Sequence, residues 1–299
     1  MLEILVAQIF NGITLGSIYA LIALGYTMVY GILFMINFAH SEIFMLGAYI
    51  SLGVFLLLTS LFQTFGIIIP VSLLIAATIV GLIGVLIEIV AYRPLRNSPR
   101  LTPLISAISV SIILQNLVFL FVSNSEISYN PISNLIPSGH ILGFDTKGFI
   151  ITIVTVFLMV ILALFLSKSK FGIAIRATSQ DKNTASLMGI NVNMVISLVF
   201  FLGAFLGAIG GFFYGTYYSM IRYDMGFIPG IKAFTAAVVG GIGSIPGAVL
   251  GGFLIGLFEI FVEGYISSTY KDVIVYSLLI LILLLKPEGI LGRKTVEKI

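Results

Sequence analysis

Residues 67–90 read IIIPVSLLIAATIVGLIGVLIEIV, and Glu88 is the only charged side chain among them. Roughly 20 apolar residues in a helix cross the hydrocarbon core of a bilayer, so this run is long enough to span one. Comparable runs lie at about 4–30, 41–62, 101–122, 149–167, 194–219, 246–262 and 271–286. A shorter stretch at 230–244, rich in Gly and Ala and bounded by Pro229 and Pro246, reads as a half-span. The expectation is an all-α integral membrane protein with 8–9 transmembrane segments, one of them a short or broken helix, in a single domain over residues 1–299.

The whole chain agrees with that run. Only 9% of its residues are charged and 59% are hydrophobic, with a mean hydropathy of +1.18. A soluble domain carries about 25% charged residues. So little charge cannot coat a surface in water, which excludes a soluble enzyme, a disordered chain and a nucleic-acid-binding domain. There is no cysteine and hence no disulfide framework or thiolate metal site. There is no tryptophan, so an aromatic belt must be built from Tyr and Phe. The first ten residues, MLEILVAQIF, hold Glu3 but no Lys or Arg. They lack the basic start of a secretory signal, so the first run is expected to stay as a span.

The basic residues sort into three clusters. Arg93, Arg96 and Arg100 share one loop; Lys168, Lys170, Arg176 and Lys182 share a second; Lys286, Arg293, Lys294 and Lys298 lie in the tail. The remaining Lys147, Arg222, Lys232 and Lys271 share their loops with Glu126, Asp145, Asp224, Glu263 and Asp272. The positive-inside rule puts the three clusters in the cytoplasm, the N-terminus outside and the C-terminus inside. The parity holds if 230–244 counts as a crossing. The external loop is then 123–148, and the main cytoplasmic loop is 168–193. Glu88 is expected at an interface close to Arg93, and Glu259 at the external interface.

Enzyme motifs are missing. No Gly-Lys dipeptide occurs, so there is no phosphate-binding Walker loop, and there is neither a His-Glu-x-x-His pair nor a Gly-x-Ser-x-Gly elbow. The histidines are His40 and His140, and the carboxylates occur singly. The chain therefore reads as a non-enzyme, with no cofactor or metal of its own; energy for transport would come from a partner or a gradient.

Three polar segments stand out. Ile36-Asn37-Phe38-Ala39-His40-Ser41-Glu42 interrupts two apolar runs. Polar side chains at membrane depth usually face a cavity. The competing reading is a cytoplasmic turn capped by Asn37 and Ser41. In the loop 168–193, Thr178-x-x-Asp181 resembles a capping box, and Gly189 would end a helix running from Ser179 to Met188. Its apolar face is small, which favours docking to a protein over lying on lipid. Residues 240–252, GGIGSIPGAVLGG, cannot stay helical throughout and mark a second break. Glycines at intervals of four, at 203, 207 and 211 and at 243, 247 and 251, suit tight helix contacts. Paired breaks in two halves would point to a translocation path.

These residues carry a resemblance that runs nearly end to end. Asn11-Gly12 with Gly16 and Tyr19-Ala20-Leu21, Ile36 to His40, Gly47-Ala48-Tyr49, Tyr92 to Arg96, Met188-Gly189-Ile190-Asn191, Lys232-Ala233-Phe234 and Lys286-Pro287-Glu288-Gly289 together resemble the LivH-type permeases of branched-chain amino-acid ABC importers. Ser41 departs from it, since the family commonly has Gly there. The resemblance implies a multi-pass permease subunit in a prokaryotic inner or plasma membrane. It would pair with a related permease, most simply as a heterodimer. Two cytoplasmic ABC ATPase subunits would bind ATP and Mg, and an extracytoplasmic substrate-binding protein would deliver Leu, Ile or Val. It implies ATPase coupling through Arg176, Asp181, Ala185 and Gly189, and a substrate pathway along Asn37, Phe38, Ala39, His40 and Glu42, with Gly240, Gly241, Gly243 and Ser244 as the second break. Relatives that import urea, amides or other amino acids, and an autonomous small-solute channel, are the competing readings. The basic tail would touch membrane lipid.

Overall fold

The computed structural model describes residues 2–62, 65–96, 98–99, 101–137, 139–141 and 144–292. Arg100, the basic tail Arg293, Lys294 and Lys298, and the side chain of His140 lie outside what is described. The chain is helical almost throughout. In order the helices are α1 Leu2–Leu33, α2 His40–Leu61, α3 Phe65–Ile87, α4 Leu101–Phe121, α5 Asn130–Ser133, α6 Thr146–Lys168, α7 Lys170–Gln180, α8 Lys182–Leu187, α9 Val192–Tyr218, α10 Phe227–Gly240, α11 Ile245–Tyr265 and α12 Lys271–Leu285. Past Ile87, α3 continues through a π turn, Glu88–Tyr92, and a 3-10 turn, Arg93–Leu95. Four two-residue strands complete the described part: β1 Ile127–Ser128, β2 His140–Ile141, β3 Phe144–Asp145 and β4 Met220–Ile221.

Seven of the described helices (α1, α2, α3 with its continuation, α4, α6, α9 and α11) are long and apolar enough to cross a membrane. This is an all-α integral membrane protein. The half-span read at 230–244 is α10 followed by a turn, shifted a few residues toward the N-terminus.

The core is α1, α2, α9, α10 and α11. In lipid, apolar surface alone does not drive helices together, so close packing must. A Cβ added at Gly12 or Gly16 of α1, or at Gly252 or Gly256 of α11, would overlap the facing helix. Gly12 meets Leu257, Gly16 meets Phe253, Gly256 meets Gly16 and Gly252 meets Ala20. The antiparallel α1–α11 contact is therefore backbone against backbone. The glycines of α9 do the same against α2: Gly211 meets the Phe44 carbonyl, and Gly47 meets Ala208. Small residues at intervals of four set these crossings, as their spacing suggests. The outer faces of α4 and α12 carry Leu120, Phe121 and Leu284 exposed, as lipid-facing helices require.

The loop 123–148 is folded onto the bundle. β1 pairs antiparallel with β4, with Ile127 opposite Ile221. Tyr129 is fully buried and shares a 2.6 Å hydrogen bond with Ser51, and burial pushes its phenol pKa upward. Ser133 donates to the Thr216 carbonyl at 3.0 Å, and Lys147 donates to Ser133 at 2.6 Å.

Candidate functional site: a charged cavity between apolar helices

A cavity of about 640 Å³ opens among α1, α4, α9, α10, α11 and α12. Three basic and four acidic side chains line it, together with Tyr19, Tyr214, Tyr218, Phe227 and Ile228. Its charged centre is Lys232 of α10. The Lys232 ammonium lies 2.5 Å from Glu259 Oε1 on α11 and 2.6 Å from Asp272 Oδ1 on α12. Tyr19 of α1 donates its hydroxyl to Glu259 Oε2 at 2.8 Å. Lys271 sits 4.0 Å from Glu259 and 3.0 Å from Glu263. Lys232 and Glu259 are 3% and 2% exposed, whereas Asp272 is 39% exposed and faces the cavity. Burying such a pair inside an apolar bundle is costly unless each charge finds its partner, and here each does. At the rim, Arg222 pairs with Asp224, which raises the guanidinium pKa further.

Glu259 is enclosed between helices, which its place in the sequence did not suggest. Lys232, 27 positions earlier, draws it inward. The sequence reading missed Lys232, Tyr19 and Asp272 as site residues. The available signal was a lysine inside a Gly- and Ala-rich apolar run.

The segment 37–42 adjoins the start of α10, next to this cavity. α1 ends at Leu33, and Phe34 turns the chain with a φ of 55°. Asn37 accepts from the Tyr92 hydroxyl at 2.6 Å. Phe38 packs against Phe234 with ring centres 6.3 Å apart, and Ala39 is fully buried ahead of α2. His40 fills the space that Gly25 and Gly207 leave open, and its Nε2 donates to the Ile22 carbonyl at 3.2 Å. Glu42 is buried and accepts from Ser111 at 3.3 Å; its other oxygen lies beside Gly226, at the start of α10. Ser41 packs on Gly226 and Gly230.

The second break lies at the other end of α10. Gly241 and Gly243 have φ of 108° and 89°, which glycine tolerates and other residues resist. Ser244 caps α11 by accepting from the Gly247 amide at 3.2 Å. Gly240 meets the Gly247 backbone, and Gly241 meets Gly292. The structure thus joins 37–42 with the start of α10, around Gly226 and Gly230, and not with 240–244.

The cytoplasmic-loop expectation needs correction. The single helix Ser179–Met188 is instead two helices broken at Asp181. Asp181 caps the second of them, accepting from the Asn183 amide at 2.8 Å and the Thr184 amide at 3.2 Å. A side chain that caps the following helix cannot close a box with Thr178. Gly189 does end the helix, at φ +84°, with the Ile190 amide donating to the Ala185 carbonyl at 3.1 Å. Ala185 is buried, and Arg176 donates to the Leu166 carbonyl, which fixes α7 against the end of α6. Leu187 and Met188 project outward, 88% and 79% exposed.

Glu88 pairs with Arg93, close to which it was expected, and is buried within the protein, where three donors converge on it: Arg93 at 2.8 Å, Ser197 at 2.7 Å, and Arg96. Arg96 also donates to Asn193 at 2.7 Å, so the cluster ties the end of α3 to the start of α9.

Residues 8–283 match the family described as the branched-chain amino acid transport system permease component. The chain is 47% identical to the high-affinity branched-chain amino acid transport system permease protein LivH of Escherichia coli (strain K12), over 98% of this chain and 97% of that one. It is 47% identical to the corresponding permease protein BraD of Pseudomonas aeruginosa, with the same coverage. A probable branched-chain amino acid transport permease protein LivH of Methanocaldococcus jannaschii is 30% identical over 94% of this chain and 91% of its own length. A match this long, at this identity, makes the chain a member of the branched-chain amino-acid permease family.

Proposed function

We propose that this chain is the permease subunit of an ATP-driven importer that carries leucine, isoleucine and valine across the cell membrane. The observation that carries the reading is the charged cavity between apolar spans, in a chain 47% identical to LivH almost end to end. A membrane bundle keeps ionisable groups at depth when a polar solute must pass.

In this reading the polypeptide crosses nine times, with the N-terminus outside and the C-terminus in the cytoplasm. The short helices α10 and α12 count as crossings, α10 being completed by the strand and loop before it. A separate extracytoplasmic protein delivers the amino acid to the cavity. The path then descends past the start of α10 and the segment Asn37–Glu42, and Gly240–Ser244 forms the turn at its cytoplasmic end. A related permease forms the other half, and two ABC ATPase subunits supply the ATP and Mg chemistry that this chain lacks.

α8 is the docking element. Exposed Leu187 and Met188 offer an apolar knob, Asp181 and Gly189 fix the two ends of the helix, and Arg176 anchors α7 to the α6 span. Closure of the ATPases would push this element, and two docked states favouring opposite gates give alternating access. The test is reconstitution of the chain with its permease partner, ATPases and binding protein in liposomes. ATP-dependent leucine uptake is expected. The reading fails if the complete assembly moves none of the three amino acids, or if this chain alone conducts them.

A further inference from the structure

The cavity places opposite charges where the two ends of an amino acid would need them. Lys232 bridges two carboxylates on two helices, 2.5 Å from Glu259 and 2.6 Å from Asp272. These two contacts differ in kind. The Glu259 contact is buried and backed by the Tyr19 hydroxyl, so it has little freedom to change. Asp272 lines the cavity and is 39% exposed, although the oxygen that meets Lys232 is buried. Breaking this contact in the absence of a replacement leaves Lys232 half-paired and Asp272 free in a partly desolvated space.

An α-amino acid zwitterion can replace it without stranding any charge. We infer that substrate inserts between Lys232 and Asp272, its carboxylate taking the Lys232 ammonium and its own ammonium taking Asp272. The ion pair becomes a four-membered chain of alternating charges, and Glu259 keeps Lys232 in place throughout. A simple carboxylate would leave Asp272 unpaired, and a simple amine would leave Lys232 short of a partner. The side chain of the substrate faces Tyr214, Phe227 and Ile228, which suits an apolar branch. A cavity of about 640 Å³ has room for one amino acid with water. Insertion also lengthens the link between α10 and α12, so occupancy is converted into separation of those two helices. This inference rests on the amino-acid importer reading and adds to it the seat and the orientation of the substrate.

The absence of native cysteine makes the test direct. Ile228→Cys places a single thiol on the cavity wall, and its alkylation rate in the assembled importer is followed by mass spectrometry of this chain's peptide. The probes are leucine, 3-methylbutylamine, which lacks the carboxylate, and 4-methylpentanoate, which lacks the ammonium. Leucine is expected to slow alkylation, and either single-charge analogue to need at least about tenfold more for equal protection. Adding Asp272→Asn should raise the leucine concentration needed by about tenfold or more, and Asp272→Glu should restore it. The analogue comparison needs no change at Asp272, so it decides the matter even if Asp272→Asn fails to assemble. Equal protection by all three probes overturns the inference. So does a leucine-transporting assembly whose thiol leucine never protects; the importer reading then stands and the seat lies elsewhere. If the unsubstituted assembly takes up none of the three amino acids and leucine gives the Ile228→Cys assembly no protection, both readings are overturned.

Discussion

Lys232→Met tests whether the buried charges hold α10, α11 and α12 together. Removing one partner of a buried ion pair typically costs about 3–5 kcal/mol, because the other charge is stranded. Here the structure favours the lower end. Glu259 keeps the Tyr19 hydroxyl at 2.8 Å and Lys271 at 4.0 Å, and Asp272 can turn into the cavity. The expected loss is about 3 kcal/mol, or roughly two powers of ten in the folding equilibrium. Adding Glu259→Gln removes the stranded charge while leaving Tyr19 an acceptor. The double variant should then lose only about 1 kcal/mol, the worth of an ordinary hydrogen bond and its packing. Glu259→Gln alone should cost about 1 kcal/mol, because Lys232 keeps Asp272, so the coupling energy of the cycle is about 3 kcal/mol, in the range expected for residues in contact. Unfolding of the full chain in mixed micelles by titration with SDS measures all four corners. Additive losses would refute the reasoning, because they would mean that Lys232 and Glu259 do not sense each other's charge.

The same physics sets other expectations. Glu88→Ala strands Arg93 and Arg96 and should cost about 3 kcal/mol in the same unfolding assay, whereas Ser197→Ala should cost about 1 kcal/mol. Gly256→Leu drives a side chain into the Gly16 backbone and should lower stability by about 3 kcal/mol or prevent accumulation, read as yield of folded chain from membranes. Asp181→Ala removes the cap of α8, costing about 1 kcal/mol, and should raise amide exchange at Asn183 and Thr184 while leaving the spans protected. Gly189→Leu meets open space but an unfavourable φ, so the chain should fold with α8 displaced, and ATPase activity of the assembly should run without matching uptake. Unchanged uptake in that variant removes the coupling role from this loop.

What could be read in the sequence follows from what is local. Span positions come from hydropathy, and the glycine spacing at 203, 207 and 211 and at 247 and 251 indicated tight helix contacts, which the structure places against α1, α2 and α10 without the sequence naming the partners. The end of α8 at Gly189 was readable too, since a left-handed cap needs glycine. The break at Asp181 was not. An aspartate three residues after a threonine can close a box behind it or cap a helix ahead of it, and the backbone around it decides. The pairing of Glu88 was half legible, since Arg93 lies five residues on, but the burial of Glu88 and Glu259 depends on partners that proximity in sequence does not show. Arg93 and Arg96 reach Glu88 along one helical segment, whereas Ser197 and, at Glu259, Lys232 are brought into range by helix packing. The site was hidden behind the same difficulty: Lys232, Glu259 and Asp272 sit in three separate segments and acquire meaning only together.

The two kinds of contact also divide the labour within the bundle. Where glycine meets backbone, as between α1 and α11 or between Gly251 and the Ala236 carbonyl, there is no slack, and the helices must move as one body. α12 is held differently. It packs chiefly on α10 and α11, it is tethered at its start by Lys232–Asp272, and beyond its end the Ile290 and Leu291 amides donate to the Val239 and Gly240 carbonyls at 2.8 and 2.9 Å. The far tether is backbone hydrogen bonding around the glycine turn, and the near tether is made of side-chain ion pairs, Lys232–Asp272 at the cavity and Lys271–Glu263 at the surface. A helix fixed at one end and latched by a replaceable charge at the other can swing about the fixed end when the latch is exchanged. The latch faces the cavity and the fixed end lies at the glycine turn, so an amino acid entering at Asp272 acts at the point where the least energy separates α12 from the rigid body.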